Sequence, residues 1–318
     1  MRLRGINFGS VFVASGALNF FGEGWKHHKF FKLLPGFNFE GVTFVSKTTT
    51  LNYRKGNLDL DANLQPLSLF PDCVRVYPIK NVVLNSVGLS GPGAEYLFAR
   101  NVWQKRTEPF LISFMAVAST KEERVGEAKE FAKILTRELP NFSAKIGLEL
   151  NISCPNTSHD PVVLIGDAVD QLRTFIKLGI PIVLKVNVLT PLNAMTQIVN
   201  SGMCNAVTVS NTIPWGQLSD EVDWRGIFGS IDSPLKHLGG GGLSGYPLLP
   251  IVAEWISGVR KSGISIPIIG GGGILKKADV DLLHQCGANA IMVGSVAILR
   301  PWRVQGIIKR AKQLYGGE

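Results

Sequence analysis

Ile266-Pro267-Ile268-Ile269-Gly270-Gly271-Gly272-Gly273 and, after one helical pattern, Ala290-Ile291-Met292-Val293-Gly294-Ser295 each run a short β-branched stretch into glycine. A buried strand that ends in bare backbone and is followed by a helix is the repeating unit of a parallel sheet. The same unit recurs upstream, with strands read at Val11–Ser15, Val42–Lys47, Leu111–Val117, Gly147–Ser153, Pro181–Asn187 and Ala206–Asn211, joining Ile266–Gly270 and Ala290–Ser295. Helical patterns between them are clearest at Lys121–Leu139, Asp167–Leu178, Leu192–Ser201, Leu248–Ser262, Lys276–Gln285 and Val304–Leu314. Eight strands alternating with helices in 318 residues predict the α/β class, as a closed (β/α)8 TIM barrel rather than an open doubly wound sheet. The connection between strands 2 and 3 is long and contains Asn52–Leu69 and Arg75–Leu84, which predicts a rim insertion carrying a small hairpin. Residues 1–318 are expected to form a single domain.

Composition narrows the function classes. With 45% hydrophobic residues the chain has enough apolar surface for a large core, and its apolar runs are too short to span a bilayer. The two arginines and Val11–Gly16 superficially resemble a signal peptide, but Asn7, Gly9 and Ser10 interrupt the apolar stretch, and a strand explains it better. Four widely separated cysteines form no metal-ligand spacing and no disulfide framework, so no metal is expected and a reducing cytoplasm fits. The formal charge of +9 is scattered rather than striped. It predicts neither a nucleic-acid nor a membrane partner, while favouring small anionic ligands.

In a barrel the C-terminal strand ends build the site. Gly270–Gly273 and Gly294-Ser295 fall after strands seven and eight, where backbone N–H groups and a helix N-terminus cradle phosphate. Gly239–Gly245 is a second glycine-rich stretch, either a mobile loop or part of that cradle. Lys47 and Lys185 end apolar strands, where a cation must meet an anion or lose its charge. Lys185 suits a fixed charge beside a cofactor that gains electrons, and Schiff-base chemistry is open to either lysine. Cys154 sits between Asn151 and Asn156 with Pro155 restricting the backbone, a setting for a thiolate general base that Ser153 orients or assists in proton transfer. Asn85, Asn151, Asn156 and Asn211 carry the donors and acceptors that a uracil-like ring edge needs.

Taken in order, Val13–Gly16, Ser46–Thr49, Asn85–Leu89, Asn151–Asn156, Ser210–Thr212, Gly241–Gly245 and Ile268–Gly273 resemble the signature of the dihydroorotate dehydrogenase family over nearly the whole chain. The resemblance implies an FMN-binding domain in which FMN is held by Ala14, Ser15, Lys47, Thr48, Asn151, Lys185, Ser210, Gly245, Gly272, Gly273, Gly294 and Ser295. It implies dihydroorotate or orotate held by Lys47, Asn85, Ser86, Val87, Gly88, Leu89, Asn156, Asn211 and Thr212. Cys154 would take the C5 proton while the flavin accepts the C6 hydride, in pyrimidine biosynthesis, and Lys185 would steady the reduced ring. A cysteine at 154 resembles the soluble class 1 enzymes. Within that class Gly-Gly-Leu-Ser-Gly resembles the form that works with an iron–sulfur flavoprotein subunit and NAD, the other arrangement being a homodimer that passes electrons to fumarate. Leu249, where the family usually carries a basic residue, and the bulky Pro214-Trp215-Gly216 depart from the pattern. Two other readings stay open: a related flavin barrel acting on another dihydropyrimidine, and a flavin-free Schiff-base or phosphosugar barrel.

Overall fold

The computed structural model describes residues 1–153 and 161–316, with 161–165 described as helical backbone alone. Eight parallel staves form the barrel: β1 (Val11–Val13), β2 (43–49), β3 (Phe110–Phe114), β4 (Ile146–Asn151), β5 (Ile182–Val186), β6 (Ala206–Val209), β7 (Ile268–Gly271) and β8 (Ala290–Val293). Seven of them are one continuous sheet in the spatial order β1-β8-β7-β6-β5-β4-β3. β2 fills the remaining gap through single bridges, Phe12 to Thr43 on one side and Val45 to Leu111 and Thr49 to Phe114 on the other. Here the Ser46 hydroxyl replaces a ladder carbonyl, accepting from the Ser113 N–H at 3.0 Å. Closure leaves the barrel sheet itself without an open edge.

The pleat sends alternate residues into the barrel. Phe12, Val45, Leu111, Val183, Ala206, Ile269 and Ala290 pack there as one apolar layer, sealed from below by Leu3 and Phe8. Leu3 belongs to an N-terminal hairpin in which Arg2–Leu3 pairs with Ile6–Asn7. The opposite strand faces, including Phe114, Leu148, Leu150 and Val207, pack against the surrounding helices in the larger core.

Those helices are α1 (His28–Phe31), α2 (Ala94–Ala99), α3 (Lys121–Glu138), α4 (Pro161–Phe175), α5 (Leu192–Asn200), α6 (Leu248–Lys261), α7 (Lys277–Gln285) and α8 (Val304–Tyr315). α3 starts at a capping box: the Thr120 hydroxyl accepts from the Glu123 N–H and the Glu123 carboxylate accepts from the Thr120 N–H. A buried ion pair clamps α3 to α4, with Arg124 Nη2 and Nε each 2.6 Å from Asp167 Oδ2. Among the described residues no helix is long and apolar enough to cross a membrane.

The expected hairpin in the insertion is present as Val74–Tyr77 paired with Val82–Asn85. It is joined by Gly242–Gly245 and Ile213–Pro214 into a four-stranded antiparallel sheet over the rim. The second glycine-rich stretch is therefore partly a strand of this rim sheet, which corrects the reading of it as a mobile loop. Several strands end earlier than expected: β1 stops at Val13, β3 at Phe114, β6 at Val209 and β8 at Val293. Beyond three of these ends Ala14, Ser15, Ser210, Asn211, Gly294 and Ser295 line the mouth of the barrel, and Ala14 and Ser210 each still donate one backbone hydrogen bond to a neighbouring stave. α4 begins at Pro161 rather than Asp167.

Candidate active site

The C-terminal strand ends open onto a cavity of about 260 Å³. A chain of side-chain hydrogen bonds crosses its floor. Ser15 Oγ lies 2.7 Å from Thr48 Oγ1, Thr48 Oγ1 lies 2.9 Å from Ser113 Oγ, and Ser113 Oγ donates to Glu149 Oε1 at 2.8 Å. Lys185 Nζ is 3.9 Å from the same carboxylate oxygen, and both side chains are buried. Asn151 Nδ2 donates to Thr48 Oγ1 at 3.3 Å, and Asn211 Nδ2 donates to Asn151 Oδ1 at 3.2 Å. Ser15, Thr48, Ser113, Glu149, Asn151 and Asn211 are thus matched with one another, as a low-dielectric interior requires.

The glycines shape the opposite wall. Gly272 (φ +123°) and Gly273 (φ +81°) occupy backbone conformations that side chains rarely adopt, and a Cβ on Gly273 would lie 2.6 Å from the Gly245 carbonyl oxygen. A Cβ on Gly294 would lie 2.9 Å from that of Ala14. Bare backbone therefore lets β1, β7, β8 and the rim sheet approach one another closely. Among the described residues, the N–H groups of Gly273, Gly294 and Ser295 find no protein acceptor. Unused donors lining one cavity make a phosphate cradle, so the wall fits the phosphate of a flavin mononucleotide. The Thr212 hydroxyl, buried without a partner, adds an unused polar group at the same cavity.

Every residue expected to hold the cofactor lines this cavity: Ala14, Ser15, Lys47, Thr48, Asn151, Lys185, Ser210, Gly245, Gly272, Gly273, Gly294 and Ser295. Of those expected to hold substrate, Lys47, Asn85, Val87, Gly88, Leu89, Asn211 and Thr212 line it too. Ser86 does not reach it, because its hydroxyl is turned to donate to the Leu238 carbonyl at 2.6 Å. Ser153 is buried one layer back, its hydroxyl donating to the Lys185 carbonyl at 3.1 Å and facing Asn211 Nδ2 at 3.4 Å. Cys154 and Asn156 lie outside the described residues. Lys47 Nζ donates to the Ser90 carbonyl and stands 4.5 Å from the centre of the Phe20 ring. Of the departures, Leu249 is buried against Gly273, and Trp215 packs 4.8 Å from both Trp224 and Phe228, outside the cavity lining.

Sequence reasoning missed Ser113 and Glu149, which lie two residues beyond the inward-facing Leu111 and Gly147. It also missed Trp25, His27 and His28, which form part of the wall. Trp25 is pinned by its indole N–H donating to the Gly16 carbonyl at 2.8 Å. Burial pushes the His28 imidazole down to about 3, helped by repulsion from His27 and Lys32, and burial lowers His27 as well. Away from the cradle, burial raises the Cys73 thiol to about 11.

Comparison with known proteins addresses the family directly. The chain is 29% identical over 304 residues to the dihydroorotate dehydrogenase B (NAD(+)) catalytic subunit of Anoxybacillus flavithermus, covering 94% of this chain and 84% of that protein. It is 28% identical over 312 residues to the catalytic subunit of the same name from Endomicrobium trichonymphae, covering 95% and 89%. The fold matches a crystal structure of the Eimeria tenella dihydroorotate dehydrogenase in complex with ferulenol, with a TM-score of 0.65, 18% identity and coverage of 99% of this chain and 85% of that one. The dihydroorotate dehydrogenase family model matches residues 5–314, which takes in every strand of the barrel and every lining residue of the cavity, and the chain belongs to that family.

Proposed function

We propose that this protein oxidises dihydroorotate to orotate in pyrimidine biosynthesis, as a single FMN-binding barrel domain over 1–318 in which Cys154 is the general base. The observation that carries the reading is the convergence on one cavity of a glycine cradle with unused N–H groups, a buried lysine and a set of amide and hydroxyl side chains. Gly272, Gly273, Gly294 and Ser295 would hold the cofactor phosphate, with Ala14, Ser15, Thr48, Asn151, Ser210 and Gly245 along the rest of the site. A bound flavin supplies the two-electron acceptor that the reaction needs.

The chain's own residues do the rest. Lys185 places a fixed cation at the cavity floor, where it offsets negative charge that develops on reduction. Asn85, Asn211 and Thr212 present donors and acceptors that suit the edges of a pyrimidine, and Lys47 offers a cation to its carboxylate. Holding the ring in place supplies the proximity contribution. Cys154 directly follows Ser153 in the sequence, and Ser153 is anchored behind Lys185 by its hydroxyl bond to the Lys185 carbonyl. Neither lysine is set up as a Schiff-base nucleophile: Lys185 faces a carboxylate and Lys47 a backbone carbonyl, arrangements suited to ammonium ions. Relatives named as catalytic subunits of an NAD(+) enzyme support a second subunit; an iron–sulfur flavoprotein that accepts the electrons in the cytoplasm is the form we propose for it.

The test is the absorption spectrum of the purified protein before and after anaerobic addition of dihydroorotate. Flavin bands that bleach are expected; a colourless protein, or bands that persist, would overturn the reading. Cys154→Ala is expected to leave the flavin bound and to slow its reduction about 10²- to 10⁴-fold, as loss of a general base does.

A further inference from the structure

Glu149 is an acidic side chain in the interior of the barrel, 1% exposed, with no place in the reaction described above. It projects from β4 one step below Asn151 and meets Lys185 from β5 and Ser113 from β3. A carboxylate has only acceptors to offer, so the Ser113 hydroxyl must spend its single proton on it. That fixes the next link: Thr48, 2.9 Å from Ser113 Oγ, must be the donor to it. The link after that is fixed in turn, with Ser15 donating to Thr48 at 2.7 Å. Thr48 Oγ1 then accepts from both Ser15 and Asn151 Nδ2, which fills its two lone pairs. Ser15 has spent its proton and faces the cavity with acceptor lone pairs alone.

We infer that Glu149 is a positioning residue: from beneath the floor it holds Lys185 in place and sets the direction of the Ser113–Thr48–Ser15 hydroxyl chain, so that the cavity meets its cofactor with a cation at one point and a pure acceptor at another. The ligand this prepares for carries an N–H or O–H donor and a group that gathers negative charge. A flavin has both, and the inference rests on the FMN reading in that respect. Glutamine at 149 would keep the shape but present an amide donor, which allows the Ser113 hydroxyl to reverse and leaves Lys185 without its counter-charge.

The test is titration of FMN onto the full-length protein, with the visible spectrum of the bound flavin as a second readout. Glu149→Gln is expected to weaken FMN binding about tenfold and to shift the flavin bands, because a charged partner and a hydrogen-bond direction are lost together. In a Ser113→Ala, Lys185→Met background the same substitution should change affinity less than about twofold, since both routes of its action are already cut. An equal loss in both backgrounds, or no loss in either, overturns the positioning role. Should the Gln variant fail to fold, Ser113→Ala alone reads the chain one link away; a loss of about threefold supports the inference and unchanged binding overturns it. Failure of the unaltered protein to bind FMN would overturn the cofactor reading, whereas binding with no response to either variant overturns only the role of Glu149.

Discussion

The lower and upper halves of the barrel interior are made by the same strands, two residues apart, and have opposite chemistry. Below, Phe12, Val45, Leu111, Val183, Ala206, Ile269 and Ala290 form an apolar plug closed by Leu3 and Phe8. Above, the next inward positions on five strands are polar, Lys47, Ser113, Glu149, Lys185 and Thr208, all buried, while those on the other three are Ala14, Gly271 and Met292. The lower half gains stability by removing apolar area from water. The upper half buries charge, which is tolerable only where partners are supplied, and it supplies them as Lys185 with Glu149 and as the hydroxyl chain. Stability and chemistry are thus separated along the barrel axis.

That separation is tested most severely from below. Phe12 is buried at 1% exposure, its ring centre 6.5 Å from that of Phe8. Phe12→Ala should lower unfolding free energy by about 3–5 kcal/mol, the range for large-to-small changes in a packed core, as read by urea denaturation. FMN affinity of the folded fraction should stay within about twofold. A matching loss of affinity would mean that the plug and the site are one cooperative unit.

The upper half should also carry a lability to acid that the apolar layer cannot have. His28, in the cavity wall, titrates near 3 because burial disfavours its charged form. Between its ordinary value and that figure the unfolded chain binds a proton that the folded chain refuses. The contribution is therefore complete above about pH 6.5 and is lost progressively as pH falls toward 3, reaching about 3 kcal/mol by pH 4. His28→Gln keeps an acceptor for the Trp25 N–H and cannot titrate, so it should shrink the stability difference between pH 7 and pH 4 by that amount. Equal acid sensitivity in the variant would place the lability elsewhere.

Smaller in stability but sharper in location is Gly273→Ala. Alanine at φ +81° costs about 1–2 kcal/mol, and its Cβ would crowd the Gly245 carbonyl and push the rim sheet from the cradle. FMN affinity should fall at least about tenfold, more than the loss of stability alone explains, because a displaced N–H no longer donates. Unchanged affinity would show that the cradle lies elsewhere on the wall.

The same two-residue step explains what was legible in the sequence. Alternating strands and helices were plain because buried parallel strands are nearly continuous apolar runs, and all eight staves fall where such runs stand. Strand ends were read too long, since nothing in the sequence marks where regular pairing stops and Ala14, Ser210 and Gly294 begin to line the mouth. Lys47 and Lys185 were visible because a charge interrupting an apolar run is conspicuous. Ser113 and Glu149 were not, because a serine or glutamate in a strand gains meaning only once its facing is known. The clue lay in Leu111 to Ser113, Gly147 to Glu149 and Ala206 to Thr208, where inward apolar or small residues give way to polar ones. Trp25, His27 and His28 were out of reach, because only the fold of the connection after β1 brings them to the wall.

A last substitution tests whether effects on the site come from the barrel interior or from any loss of stability. Thr120 caps α3 outside the barrel and belongs to neither the plug nor the cavity lining, its hydroxyl 3.2 Å from the Glu123 N–H that it accepts. Thr120→Ala removes that acceptor and half of the capping box, for a loss of about 1 kcal/mol in denaturant unfolding. FMN affinity and the rate of flavin reduction by dihydroorotate should be unchanged, since no hydrogen bond of the hydroxyl chain runs through α3. If this outer cap also weakened FMN binding, the affinity losses expected for Gly273→Ala and Glu149→Gln would have to be read as general loosening. If it leaves binding intact while costing stability comparable to Gly273→Ala, the site's sensitivity is confined to the upper interior, where the strands turn from apolar to polar.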